Sequence, residues 1–183
     1  IHSIKSRNPI PKDLDVVGVV SGIEFEAKFK EDISLIQSKL EVKLGQVLNY
    51  MVKPSNLAVE YCVLKWPEEI YDQKIVDQTW FFLKKMDIKP FEFTISGIQM
   101  HIDGCIVLRG FSENMIIHRV RNRLKECVLN FPNKQSNWSH VPIGRILEPI
   151  DEKTKKNLTI FLDEINKDFK NLKTKINKIY LVH

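Results

Sequence analysis

The sequence predicts an α+β fold made of two similar halves. Runs with period-two alternation, the mark of a half-buried strand, are interleaved with runs whose apolar residues recur at helical spacing. In each half a helical run is followed by a polar loop and a strand with a distinctive opening. The openings are Asn56-Leu57-Ala58-Val59-Glu60 and Ser139-His140-Val141-Pro142-Ile143-Gly144-Arg145. The halves share this order without a repeat of fixed period.

Taken in order, Ile1 to Lys12 carries two prolines and reads as an irregular lead-in. Val16 to Phe29 alternates through Ile23, Phe25, Ala27 and Phe29 and reads as strand, with a break at Ser21-Gly22. Asp32 to Leu48 places Ile33, Ile36, Leu40, Leu44 and Val47 at helical spacing. Leu57 to Leu64 is a strand ended by Trp66-Pro67, and Asp72 to Met86 a helix with Ile75, Val76, Trp80 and Leu83 inward. Phe91 to Ile98 and His101 to Leu108 read as two strands joined by a tight turn. Ser112 is placed to cap a helix that buries Ile116, Val120, Leu124 and Cys127. The outer face of that helix would carry His118, Arg119, Arg121, Arg123 and Lys125. Asn130 to Asn137 is a polar loop and Trp138 to Leu147 a strand that stops before Pro149. A charged helix follows, with Leu158, Phe161, Leu162, Ile165, Phe169 and Leu172 on one stripe. Ile176 to Val182 closes the chain as a strand.

Composition narrows the function classes. A chain of 183 residues, 43% hydrophobic and 28% charged, fits one domain with a real core. A net charge of +5 and a pI of about 9.0 favour anionic partners such as RNA or nucleotides, although a solvated basic surface accounts for the same charge. Cys62, Cys105 and Cys127 form no CxxC pair, so neither a zinc site nor another cofactor is expected. Buried free thiols point to a reducing compartment, the cytoplasm. The first residue is Ile1 rather than Met, which leaves room for a removed targeting segment. No apolar run reaches the roughly 18 residues of a membrane span.

The paired strands FEFTISGIQMHIDGCIVLRG, the basic run SENMIIHRVRNRLKE and the strand NWSHVPIGRIL resemble, in order and spacing, the second half of a 2H phosphoesterase. That group contains bacterial RNA 2′,5′-ligase-like proteins and cyclic phosphodiesterases. The first strand, the helix from Asp32 and PSNLAVEYCVL resemble the first half less closely. The resemblance implies one domain over residues 1–183, with two pseudo-symmetric lobes of mainly antiparallel sheet flanked by helices around a central cleft. It also implies a His-x-Thr/Ser motif in each lobe. Residues i and i+2 of a strand share a face, so the histidine and the hydroxyl enter the cleft together. In the family one histidine acts as general base and the other as general acid, while the hydroxyls hold phosphate oxygens.

Both motifs are altered. The second is His140-Val141-Pro142, with proline in the hydroxyl position and Arg145 where many members of the family have arginine. The first aligns on Ala58-Val59-Glu60, with no histidine and a carboxylate in place of the hydroxyl. A positioned acid or base contributes about 10²- to 10⁴-fold, so family-type catalysis is expected to be weak. The candidate catalytic residues are His140 and Glu60, with Arg145, Pro142, Ala58 and Trp138 as substrate-binding candidates. Glu60 facing His140 would orient it, raise its pKa or act as a base, and the rival reading sends Glu60 to solvent. His101 and His118 read more simply as surface histidines, and Trp138 as either a base-stacking platform or core. Three functions remain open: a divergent phosphoesterase, a catalytically degenerate binder of RNA or nucleotide, and a protein-interaction domain.

Overall fold

The computed structural model describes residues 15–67, 69–168 and 172–183. The lead-in from Ile1 to Lys12, and Phe169 of the last helical stripe, lie outside them. The elements are β1 (Val17–Ser21), α1 (Ala27–Leu44), β2 (Asn49–Met51), β3 (Val59–Lys65), α2 (Gln73–Lys85), β4 (Phe91–Met100), β5 (Cys105–Ser112), α3 (Ile116–Cys127), β6 (Ser139–Ile146), α4 (Glu152–Asp168), β7 (Lys173–Ile176) and β8 (Tyr180–Val182). They form an α+β fold with two antiparallel sheets, ordered β3-β1-β8 and β2-β6-β5-β4-β7.

Several elements differ from the sequence reading. The long first strand stops at Ser21, and α1 starts at Ala27 rather than Asp32. Phe29, Ile33, Ile36, Leu40 and Leu44 form one buried stripe, and full burial of each is worth about 1.5–3 kcal/mol. The alternation over residues 23–29 is that of a turn and a helix start, where Phe25 meets Phe29 edge-on at 4.9 Å. In α2 the helix is capped by Asp72, which accepts from the Lys74 N–H at 2.9 Å, while Trp80 faces outward and Thr79 takes an inner position. Ser112 does not cap directly. A short 3₁₀ turn with left-handed Asn114 and Met115 intervenes before α3, and Ser112 Oγ accepts from the Ile117 N–H at 3.4 Å.

The closing strand is two strands. β7 pairs with β4 in the larger sheet and β8 with β1 in the smaller one, so the end of the chain ties the sheets together. The chain crosses at residues 177–179, where the Lys178 carbonyl accepts from Ser21 Oγ at 2.6 Å. Ser21 Oγ in turn accepts from the hydroxyl of the fully buried Tyr61, 3.2 Å away.

Candidate functional site

Strand β6 carries the second altered motif and lies between β5 and β2. β2 pairs only with Gly144 to Ile146, so the stretch from Ser139 to Pro142 has β5 on one side alone. Its other edge turns toward β3. Pro142 has no N–H to give a ladder, and this half-free stretch is where it is tolerated. The register shifts opposite Ile106 and Val107, leaving Ile143 as an extra residue on β6.

Cross-strand partners share a face of a sheet. One row holds Gly97, Arg109 and His140, the next Gln99, Val107 and Pro142, and a third Cys105, Arg145 and Tyr50. His140, Pro142 and Arg145 therefore lie on one face of the larger sheet. Ile106, Leu108, Val141 and Ile146 lie on the other, in the hydrophobic core.

The first altered motif opens β3, in the smaller sheet. Ala58 and Glu60 are half-buried, and Glu60 pairs with Val20. No ladder joins β3 to β6. Arg121 on α3 joins them instead. Its Nε donates to the Tyr61 carbonyl, and its Nη2 donates to the carbonyls of Glu60 at 3.3 Å and Trp138 at 3.1 Å. The basic-face assignment is corrected here, because Arg121 is only 6% exposed. It shares an inward stripe with Ile117, Val120 and Leu124. His118 is not a free surface histidine either. It donates from Nε2 to the Asn137 carbonyl at 3.2 Å, and Ser139 Oγ lies 3.4 Å from its Nδ1. Nearby, the Gln135 amide imitates a strand neighbour, accepting from the Val63 N–H at 3.0 Å and donating to its carbonyl at 2.8 Å.

Burial sets the protonation of the seam. It raises the Glu60 carboxyl above the usual range, with the Arg121 charge opposing the rise. It lowers the His140 imidazole, with the charges of His101 and Arg121 acting in the same direction. Arg121 is thus the charge that Glu60 and His140 share, and His140 is favoured as the neutral imidazole at neutral pH.

The two groups pull stability in opposite directions with pH. The raised Glu60 contributes stability below its unfolded pKa and loses it as pH rises through the folded value. The depressed His140 contributes above its unfolded pKa and loses it as pH falls through the folded value. Glu60→Gln is therefore expected to match or exceed wild-type stability at pH 8 and to lose that advantage in acid. Urea unfolding midpoints across pH check this, and a Glu60→Gln deficit that grows with pH would contradict it.

The remaining candidates separate into two groups. Trp138 is 41% exposed, with the Arg109 guanidinium 4.3 Å from its ring centre and the His101 ring edge-on at 5.7 Å. Arg145 reaches instead to Asp103 in the β4–β5 turn, at 3.4 Å. Among the described residues there is no cluster of three or more potential metal ligands and no helix long and apolar enough to cross a membrane. A hollow of about 1120 Å³ lies away from this seam, among Ile88, Phe91, Ile116, Arg119, Arg123 and Lys173. Sequence reasoning missed the bridging role of Arg121 and the placement of Arg109 and His101 beside Trp138. The spacing of Arg121 from Ile117 and Leu124 was the available signal for the first.

No family model and no curated protein matches the sequence. Among solved structures, the fold matches Kluyveromyces marxianus Usb1 with a TM-score of 0.60 at 10% identity, covering 94% of this chain and 95% of that one. The structure of the same protein with uridine monophosphate matches with a TM-score of 0.61 at 10% identity and the same coverage. The Thermus thermophilus protein TT0787 matches with a TM-score of 0.55 at 9% identity, covering 91% of this chain and 84% of that one. At such identities the likeness is one of fold, an α+β arrangement of antiparallel sheets with flanking helices shared over more than nine-tenths of this chain.

Proposed function

We propose that the chain binds RNA or a nucleotide along the seam between β3 and β6, as a 2H phosphoesterase-like protein of reduced catalytic power. In this reading the two sheets are lobes of one domain and the seam is their shared cleft. The observation that carries it is the setting of His140. A buried guanidinium, Arg121, lies at the seam beside it, and Arg109 in the cross-strand position stacks on Trp138. Cationic side chains attract phosphate oxygens, and an aromatic ring accepts a base. The uridine monophosphate held by a protein of this fold supports the same ligand class. Ala58, Pro142 and Arg145 complete the lining, with His140 and Glu60 nearest any chemistry.

Binding of a short single-stranded RNA at two salt concentrations tests this. Wild type is expected to bind more weakly at high salt, and Arg145→Ala to weaken binding several-fold. Neutralising Arg119 and Arg123, whose side chains project from α3 elsewhere, reduces the salt slope by about 0.7 for each phosphate that is no longer neutralised. Binding sensitive only to the α3 change leaves a nonspecific basic surface, and no binding at low salt favours the protein-interaction reading.

The opposite pKa shifts of Glu60 and His140 favour a second reading, an active phosphodiesterase using that pair as acid and base. Little or no turnover of 2′,3′-cyclic nucleotides or 2′,5′-linked RNA is expected. Robust turnover that disappears in His140→Ala would establish the second reading.

A further inference from the structure

We propose that His101, in the β4–β5 turn, shares with His140 the recognition of one phosphate monoester, so that two imidazoles from different elements close on the same group. This rests on the reading of the seam as a nucleotide site and adds to it a residue outside both altered motifs.

The turn holds His101 firmly. Its N–H donates to the Cys105 carbonyl at 2.8 Å, and its carbonyl accepts from the Gly104 N–H at 2.9 Å. Its ring stands T-shaped to that of Trp138, two residues before His140, with the ring centres 5.7 Å apart. Its Nε2 is screened from water and has no hydrogen-bond partner among the described residues. A buried polar atom left unpaired costs about 1–3 kcal/mol, and a bound oxygen would remove that cost. Val107, in the row between Arg109 and Cys105, is fully buried although it stands outside the main core cluster. This polar face is therefore covered rather than flat and open.

The surrounding charges leave a net positive site. On the hairpin, Asp103 is engaged by Arg145 of β6, and Arg109 lies on Trp138. The Cys105 thiol is held above its usual pKa by burial, so it adds no thiolate. From α3 comes Arg121, with His118 turned to Asn137. From β3 comes Glu60, whose carboxyl burial pushes toward the neutral form. His101 and His140 repel each other when both are charged. A dianionic phosphate between them relieves that repulsion and favours the charged form of His140, which burial and the neighbouring charges oppose.

Uridine monophosphate and uridine are the probes, titrated into wild type, His101→Gln and His140→Gln. Between about pH 8 and about pH 6.5, wild-type affinity for the monophosphate is expected to rise as the site takes up protons. His101→Gln keeps a similar size but cannot become charged. It is expected to flatten that rise and to weaken binding about tenfold at the lower pH, the scale of one charge-assisted hydrogen bond. Affinity for uridine, which lacks the phosphate, is expected to stay unchanged, and a thermal melt checks that the variant is folded. Loss of monophosphate binding in His140→Gln with a wild-type pH profile in His101→Gln would overturn this inference and leave the seam reading intact. A wild type that binds no uridine monophosphate would overturn both.

Discussion

Replacing Arg121 with alanine should destabilise the fold by about 3 kcal/mol or more, because one buried guanidinium satisfies three carbonyls, two on β3 and one just before β6. No ladder joins β3 and β6, so no bond between those strands takes the place of the guanidinium when it is removed. Arg121→Met separates the contributions, since it keeps much of the stem's packing and removes only the donors. Arg121→Lys keeps the charge but cannot fork to several acceptors, and should fall between wild type and Met. For a chain of this size, a loss of about 3 kcal/mol lowers Tm by about 6–12 °C. Thermal and urea unfolding of the three variants measure this. A methionine variant as stable as wild type would show that packing alone holds the seam.

Gly104→Ala should cost about 3 kcal/mol and move the β4–β5 turn away from β6. Gly104 has a φ of 83°, in the left-handed region, where a side chain costs about 1–2 kcal/mol. A Cβ there would also stand 2.4 Å from the Ile146 carbonyl oxygen, which is backbone and cannot swing aside. Overpacking of that kind adds about 1–3 kcal/mol. The contact matters because the Gly104 carbonyl accepts from the Ile146 N–H at 2.9 Å, fixing the turn against β6. The same turn bears His101 and Asp103. Gly45 is the control. It has a φ of 58° but nothing within 4 Å of an added Cβ, so Gly45→Ala should carry only the backbone strain, about 1–2 kcal/mol, without the steric contact. Equal losses in the two variants would show that the turn gives way more easily than its contacts imply.

Legibility in the sequence followed the range of the interactions. β3, β4, β6 and α2 carry their own periodicity and were readable to within a few residues. The period-two appearance of Phe25, Ala27 and Phe29 misled, because a four-residue aromatic contact at a helix start also places apolar residues on alternate positions. β2 is only three residues long, and its pairing with Gly144 to Ile146 leaves no pattern of its own. The switch from β7 to β8 depends on which sheet offers a free edge, and that edge is built by β1 and β4, far away in sequence. The same division holds for the candidate site. The i, i+2 rule placed His140 and Pro142 on one face of β6. Burial of Arg121 and the approach of His101 and Arg109 to Trp138 come from packing between elements, and a charged residue on an otherwise polar helix read naturally as solvated.

The most direct test of the seam as a nucleotide site is a nuclear magnetic resonance titration of the wild-type chain with uridine monophosphate, following the histidine ring signals and the backbone amides. The expected result is a saturable shift of the His140 ring, with shifts of the Ala58 to Glu60 amides and of the Trp138 indole in the same concentration range. Shifts confined to the outer face of α3 around Arg119 and Arg123, or to the hollow lined by Ile88 and Phe91, with the His140 signal unmoved, would contradict the account.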